Sequence, residues 1–167
     1  TVIVLETAAE DLDGNPLWTT GMQIWARGEG GFGGNAGPEV VAGVPDRAPD
    51  KVLTSSTSPS QALVYRLSGD MNPLHADPSF AKMAGFDAPI LHGLASYGIV
   101  CKAVVDGILD GDPTRVKNYS VRFAGSLVPG ESITTSVWQD GNTLTLAATC
   151  PERENSPVLT HATMEIN

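Results

Sequence analysis

Basic residues are scarce in this sequence. Lysine and arginine number 10 against 19 aspartates and glutamates, a net charge of −9. Neutralising a nucleic-acid backbone needs a basic face, so no nucleic-acid partner is expected. Long apolar runs are missing too. None approaches the roughly 20 residues that cross a bilayer as a helix, and no membrane partner is expected. Cysteine occurs twice, at Cys101 in an apolar stretch and at Cys150 at the end of a strand-like one. So few thiols make no disulfide framework and no thiolate metal site; two buried free thiols in a reducing compartment, the cytoplasm, are expected. His75, His92 and His161 show no metal-ligand spacing. Neither Ser68 nor Ser96 sits in the strained G-x-S-x-G elbow of a serine hydrolase. The opening TVIVLETAAEDLDG has no basic n-region and no long h-region, so it reads as the start of a processed or truncated chain, not as a signal peptide. The closing MEIN is no peroxisomal address.

What is present suits one sizeable core: 167 residues, 41% hydrophobic. Residues 2–7 and 17–26 read as strands around the turn DLDGNP. A lone hairpin is marginal in water, so these strands should add to a sheet. Residues 27–50 are rich in glycine and proline and read as a connection. Within them, Gly28 to Gly33 fits G-x-G-x-x-G, but Gly34, Asn35, Gly37 and Pro38 follow where a dinucleotide site needs a helix. Residues 58–69 read as a helix with Ser58 as N-cap, Gln61 completing a capping box and Gly69 as the stop. A short helix starts at Asp77 and Pro78 and ends at Gly85. From Gly93 to Val105 the chain is apolar nearly all round, which predicts a helix buried on every side. Four strands follow, at 116–124, 131–138, 142–150 and 157–166, with Asp140-Gly141 as a type I′ hairpin signal. The fold class is α+β, with a curved antiparallel sheet wrapped around the buried helix.

The chemistry concentrates in LSGDMNPLHADP, residues 67–78. Asp70 and His75 are five apart with Pro73 between them, so they belong to a turn, with Asn72 available to orient one of them. A carboxylate and an imidazole aimed at one point can hold a water and move its protons. The alternative is ordinary turn chemistry, in which Asp and Asn are common. Gly93 stands where a helix begins. Its amide could meet a substrate carbonyl, or the glycine, like Gly98, could serve close helix–sheet packing. His92 is a ligand, a second base or, in the favoured reading, a helix-start histidine bonded to the backbone. His161 alternates with apolar residues in the last strand and reads as a surface or sheet residue.

At these residues a resemblance enters. YRLSGDMNPLHADPSFAKMAGFDAPILHGLASYG, residues 65–98, resembles the MaoC-like, (R)-specific enoyl-CoA hydratases (type-2 enoyl-CoA hydratases), especially the hydratase domain of peroxisomal multifunctional enzyme type 2. The likeness extends from RGEGGFGG and PDRAPDKVLT through VRFAGSLVPGE to near the end. It implies a hot-dog fold and reversible hydration of trans-2-enoyl-CoA to a (3R)-hydroxyacyl-CoA. It implies no metal or redox cofactor, the CoA thioester being the substrate. It implies Asp70 and His75 as the acid/base pair, the Gly93 amide as oxyanion donor, and Met71, Asn72, Pro73, Leu74 and Phe123 with them around the substrate. It also implies a double hot dog. Residues 1–27 look like the last strands of a mostly absent N-terminal half, 28–51 like the linker, and 52–167 like the catalytic domain. The missing half, in cis or as a separate chain, is then an expected partner, in a homodimer or pseudo-dimer. Lys82, Arg122, Lys117 and Lys51 are candidates for the CoA phosphates. Two other readings stay open: a dehydratase of carrier-protein-bound 3-hydroxyacyl chains, and a non-catalytic acyl-CoA-binding hot-dog subunit.

Overall fold

The computed structural model describes residues 1–26, 28–35 and 43–167, without the Trp25 side chain. It divides into two units, Thr1–Glu39 and Val40–Asn167. In the first, β1 (Val2–Glu10) pairs with β2 (Pro16–Trp25) in an antiparallel hairpin, Val2 opposite Trp25 and Ala9 opposite Trp18. Asp11 shapes the turn: its carboxylate accepts from the amides of Asp13 (2.9 Å) and Asn15 (2.8 Å). The predicted hairpin is therefore present, with β1 longer than expected. Among the described residues its sheet has two strands only. Val2, Val4, Leu5, Leu17, Trp18 and Met22 are all exposed. The described residues 28–35 form no helix. The rest of the predicted connection falls partly on 36–42, outside the described residues.

The second unit holds β3 (Lys51–Ser56), α1 (Gln61–Tyr65), α2 (Pro78–Met83), α3 (Gly93–Ile108), β4 (Val116–Phe123), β5 (Ser132–Asp140), β6 (Thr143–Cys150) and β7 (Ser156–Ile166). Its five strands form one sheet in the order β3-β5-β6-β7-β4, antiparallel throughout. Strict alternation builds the core. Ile133, Thr135 and Val137 of β5 are buried, as are Leu144, Leu146, Ala148 and Cys150 of β6. They cluster with Val100, Val104, Val105 and Leu109 of the helix segment. In β7 the alternation slips. Leu159 and Ala162 both face inward, and between them the register shifts at Thr160–His161, where His161 takes a left-handed φ of +46°. That β-bulge turns His161 to the surface. One long helix on this sheet is the hot-dog arrangement. Among the described residues no helix is long and apolar enough to cross a membrane.

Four local readings are corrected. First, residues 58–69 are not one capped helix. Ser58 Oγ accepts from the Ser60 amide (3.2 Å) and shares a hydrogen bond with Ser60 Oγ (2.9 Å), making a turn. Helix begins only at Gln61, gives way to a 3-10 turn over Arg66–Ser68, and stops at Gly69, φ +120°. Serines that bond locally compete with helix. Second, α3 is not buried all round. Ala95, Ser96, Val100, Val104 and Val105 are buried, but Leu94 is 60% exposed and Gly93, Gly98 and Lys102 are open. The sheet covers one face only. Third, the stretch that opens the expected catalytic domain is a strand, β3. It pairs with β5 from Lys51 opposite Val137 to Ser56 opposite Ser132. An exposed edge strand ending Thr-Ser-Ser shows little apolar alternation. Fourth, the hairpin after β5 closes through Gly141-Asn142, since Asp140 pairs with Thr143. Gly141 has φ +59° and Asn142 has no positive φ, the pattern of a type II′ turn instead of I′.

Candidate active site

The loop that carries the acid and the imidazole is held at both ends. Gly69 lets the chain turn out of the 3-10 segment. Asn72 precedes a proline and is extended (φ −52°, ψ 124°), and its side chain accepts from the Leu74 amide at 3.0 Å. That bond caps a 3-10 turn over Pro73–His75. Asp70 Oδ1 accepts from the Asn72 amide at 3.2 Å. Beyond the turn, Asp77 caps α2, accepting from the amides of Ser79 (2.8 Å) and Phe80 (3.3 Å). The predicted N-cap is thus formed.

His75 is nearly buried, 8% exposed, and its Nδ1 lies 2.8 Å from the Ile90 carbonyl oxygen. A carbonyl only accepts, so Nδ1 donates and the neutral ring leaves Nε2 bare. The Asp70 carboxylate, exposed at the surface, and the His75 and His92 rings each bring an atom into a group whose members lie within 4.8 Å of one another. The structure therefore brings Asp70 and His75 together.

His92 belongs to the same group. It is 1% exposed, and its Nε2 donates to the Asp70 carbonyl at 3.2 Å. The predicted backbone bond is present, and it ends on Asp70 itself. The ring also stacks on His75, centroids 3.7 Å apart and planes at 28°, and tilts against Tyr65 at 4.6 Å. Burial, above all, holds its pKa below the usual histidine value; the bond to Asp70 opposes this, while His75 adds to it. Nothing in the local pattern reveals the hydrogen bond or the stack, because Asp70 and His75 lie 22 and 17 positions from His92.

As metal ligands these three groups fit poorly. The outer nitrogens, Nδ1 of His75 and Nε2 of His92, are committed to carbonyls. The other two belong to stacked rings whose planes lie only 28° apart. A tetrahedral site needs their lone pairs to converge on a point about 2 Å from each.

Gly93 is the first residue of α3. The amides of Ala95 and Ser96 reach the His92 carbonyl (3.0 and 3.2 Å), while those of Gly93 and Leu94 precede the helical ladder. Phe123, at the end of β4 and 51% exposed, lies over Gly93: a Cβ there would stand 3.1 Å from Phe123 Cε1. Gly93 thus permits a close approach. Gly98 does not, because a Cβ there meets nothing within 4 Å. Met71, Asn72 and Pro73 are exposed and Leu74 is half-buried. Beside His75 lies a cavity of about 240 Å³, walled by Ala62, Leu63, Ala76, Pro89 and Val128 among others. Of the candidate cations, Lys51 donates its Nζ to the Gly107 carbonyl (2.5 Å), whereas Lys82, Lys117 and Arg122 make no ion pair among the described residues.

A helix-on-sheet hot dog with a carboxylate–imidazole pair beside the N-terminus of its long helix defines a class of acid–base proteins. The MaoC like domain matches residues 40–156, and the chain belongs to that family. It is 53% identical over 158 residues to "Enoyl-CoA hydratase ChsH3" of Mycobacterium tuberculosis, covering 95% of this chain and 55% of that protein. It is 42% identical over 151 residues to "Enoyl-CoA hydratase 2, peroxisomal" of Arabidopsis thaliana, covering 84% and 49%. The crystal structure of a MaoC-like dehydratase from Phytophthora capsici superposes with a TM-score of 0.86 at 37% identity, covering 99% of this chain and 58% of that one. The chain spans about half the length of the curated relatives it matches.

Proposed function

We propose that this chain is the catalytic half of an (R)-specific enoyl-CoA hydratase, adding water reversibly to a trans-2-enoyl-CoA to give a (3R)-3-hydroxyacyl-CoA in acyl-CoA metabolism. The observation that carries the reading is the Asp70–His75 pair, with atoms within 4.8 Å, beside the start of α3. A water held between the carboxylate and the bare Nε2 of His75 loses a proton to the pair as its oxygen bonds to C3. The C2–C3 double bond opens, and C2 takes a proton back from the pair. Negative charge gathers meanwhile on the thioester oxygen. The Gly93 amide, at the positive end of α3, is the donor for it. Met71, Asn72, Pro73, Leu74 and Phe123 surround the substrate. Water and a thioester suffice for this step, so neither metal nor redox cofactor is invoked.

The open face of α3, with Leu94 and Gly98, and the exposed apolar hairpin support a partner: an N-terminal hot-dog half, in cis or as another chain. In that arrangement residues 1–27 belong to the partner half, 28–51 link, and 52–167 catalyse. Lys82, Lys117 and Arg122 remain free to meet the CoA phosphates. The free thiols of Cys101 and Cys150 suit a reducing compartment such as the cytoplasm.

The test follows the enoyl-thioester absorbance of crotonyl-CoA and of a long trans-2-enoyl-CoA with the full-length protein, beside Asp70→Asn. Asparagine keeps the acceptor for the Asn72 amide and removes only the charge and the proton relay. Loss of absorbance in the wild type, an (R) product, and a rate about 10²–10⁴ lower in the variant are expected. Turnover of carrier-protein thioesters alone would move the assignment to a dehydratase. Turnover of neither would leave a binding subunit.

A further inference from the structure

The mechanism just proposed uses Asp70, His75 and Gly93 and leaves His92 idle, although His92 is the most buried of the polar side chains at the site. An ordinary core position would be filled as well by leucine or phenylalanine. His92 instead keeps an imidazole whose Nδ1 is buried with no hydrogen-bond partner among the described residues. Such an orphan is a burden that an apolar residue would avoid. The rest of the ring explains its presence. Nε2 donates to the main-chain carbonyl of Asp70 at 3.2 Å, and the ring face lies on His75 at 3.7 Å. One side chain therefore touches both members of the acid/base pair, from the turn that launches α3.

We propose that His92 is a positioning residue, a neutral Nε2–H imidazole that fixes the Asp70 main chain by its hydrogen bond and the His75 ring plane by its stack. This rests on the hydratase reading for its kinetic consequence but not for its protonation state. The groups facing the ring are Asp70, His75, Tyr65 and Arg66. Burial, His75 and Arg66 all disfavour a second proton on it. With one proton only, that proton must sit on Nε2, because the Asp70 carbonyl can only accept. A protonated His92 would set a cation against the His75 ring and spoil the uptake of a proton there. No simpler residue meets both functions: phenylalanine would stack without donating, and glutamine would donate without stacking.

The full-length protein is the material for the test. His92→Phe and His92→Gln are made alone and in the Asp70→Asn background, with kcat, KM and the unfolding midpoint measured for each. The expected result is a fall in kcat of about 10-fold for either single variant with KM nearly unchanged, since only the geometry of the pair is lost. In the Asp70→Asn background the His92→Phe effect should shrink below about twofold, because His92 acts through the pair. An equal fall in both backgrounds, or a loss carried by KM, overturns the proposal. Two variants guard against one failing to fold. Nitrogen-15 NMR of the wild-type imidazoles needs no activity at all. An Nε2–H tautomer at neutral pH is expected, and an imidazolium or an Nδ1–H tautomer overturns the proposal even if the protein hydrates nothing. Failure of the hydratase assay and failure of this inference are thus separate results.

Discussion

Replacing Gly93 by alanine separates the packing role of that glycine from the chemical one proposed for it. The new Cβ would stand 3.1 Å from Phe123 Cε1, 3.2 Å from Cδ1 and 3.7 Å from Cζ. Carbon pairs are comfortable from about 3.5 Å, so the ring must retreat by roughly 0.4 Å. It can, because Phe123 is 51% exposed at the end of its strand. Gly93 has no positive φ, so alanine also suits the backbone. Relative to glycine, alanine gains up to about 1 kcal/mol within a helix, and less at its first position. Gain and crowding nearly cancel, and stability should stay within about 1 kcal/mol, or about 4 °C in Tm. Activity should not survive so well. The amide remains, but a methyl group and a displaced ring would occupy the approach proposed for the thioester carbonyl. Misplacing a reacting group by on the order of 1 Å costs about 100-fold, or about 2.7 kcal/mol of transition-state stabilisation. The assay is kcat/KM from the enoyl-thioester absorbance, beside a thermal melt of the same preparation. A variant with unchanged Tm and kcat/KM within threefold of wild type would refute Gly93 as the carbonyl's donor.

Other glycines give contrasting expectations. Gly125→Ala drives a Cβ to 2.5 Å from the Pro157 carbonyl oxygen; backbone cannot step aside, and urea unfolding should show a loss of about 1–3 kcal/mol. Gly98→Ala meets open space within α3 and should stabilise the isolated chain by about 0.5–1 kcal/mol; a loss would show that this face is already packed. Asp77→Ala removes the N-cap bonds to Ser79 and Phe80 and should cost about 1 kcal/mol, read from the same denaturant curves. His92 makes stability depend on pH. Its folded-state pKa lies below the unfolded value of about 6.5, so the fold favours the neutral ring. That contribution is complete above about pH 6.5. It falls away as pH drops from there toward the folded pKa, because the unfolded chain takes up the proton first. Urea midpoints of wild type and His92→Phe should therefore run parallel above about pH 7, and the wild type should fall relative to the variant below about 6.5; curves parallel throughout would sink the argument.

Most of the sheet was legible because the physics that makes it is periodic. In β6, Leu144, Leu146, Ala148 and Cys150 are buried at every second position, and the same alternation is visible in the residue string. Where local bonding competes, the reading failed. Ser58 and Ser60 bond each other, so the helix start moved to Gln61. Composition could not decide what covers α3 either. An apolar surface predicts burial, but Leu94 at 60% exposure shows that the cover is not in this sheet. In the site, Asp70 and His75 were legible because six consecutive residues carry both the groups and the turn. His92 was half legible. Its position before Gly93 announced a backbone bond at a helix start, but the partner carbonyl and the stacked ring lie 22 and 17 positions away, where no local rule reaches.

The turn also answers why an acid and an imidazole are not simply placed on one helix face. Helix neighbours share an environment. The 3-10 turn over Pro73–His75 separates two that must differ. Asp70 remains at the surface, where its carboxylate stays hydrated and keeps its bond to the Asn72 amide, while His75 points inward at 8% exposure, its Nδ1 committed to the Ile90 carbonyl. The buried one is held in a single tautomer, its bare nitrogen left for the water of the proposed reaction. Asn72 and Asp77, each bonded to amides two residues on, keep that division rigid from either side. A helix would offer the same two side chains at a fixed spacing but could not wet one and dry the other. The division, more than the residue types, is what suits so short a segment to the acid–base chemistry proposed for it.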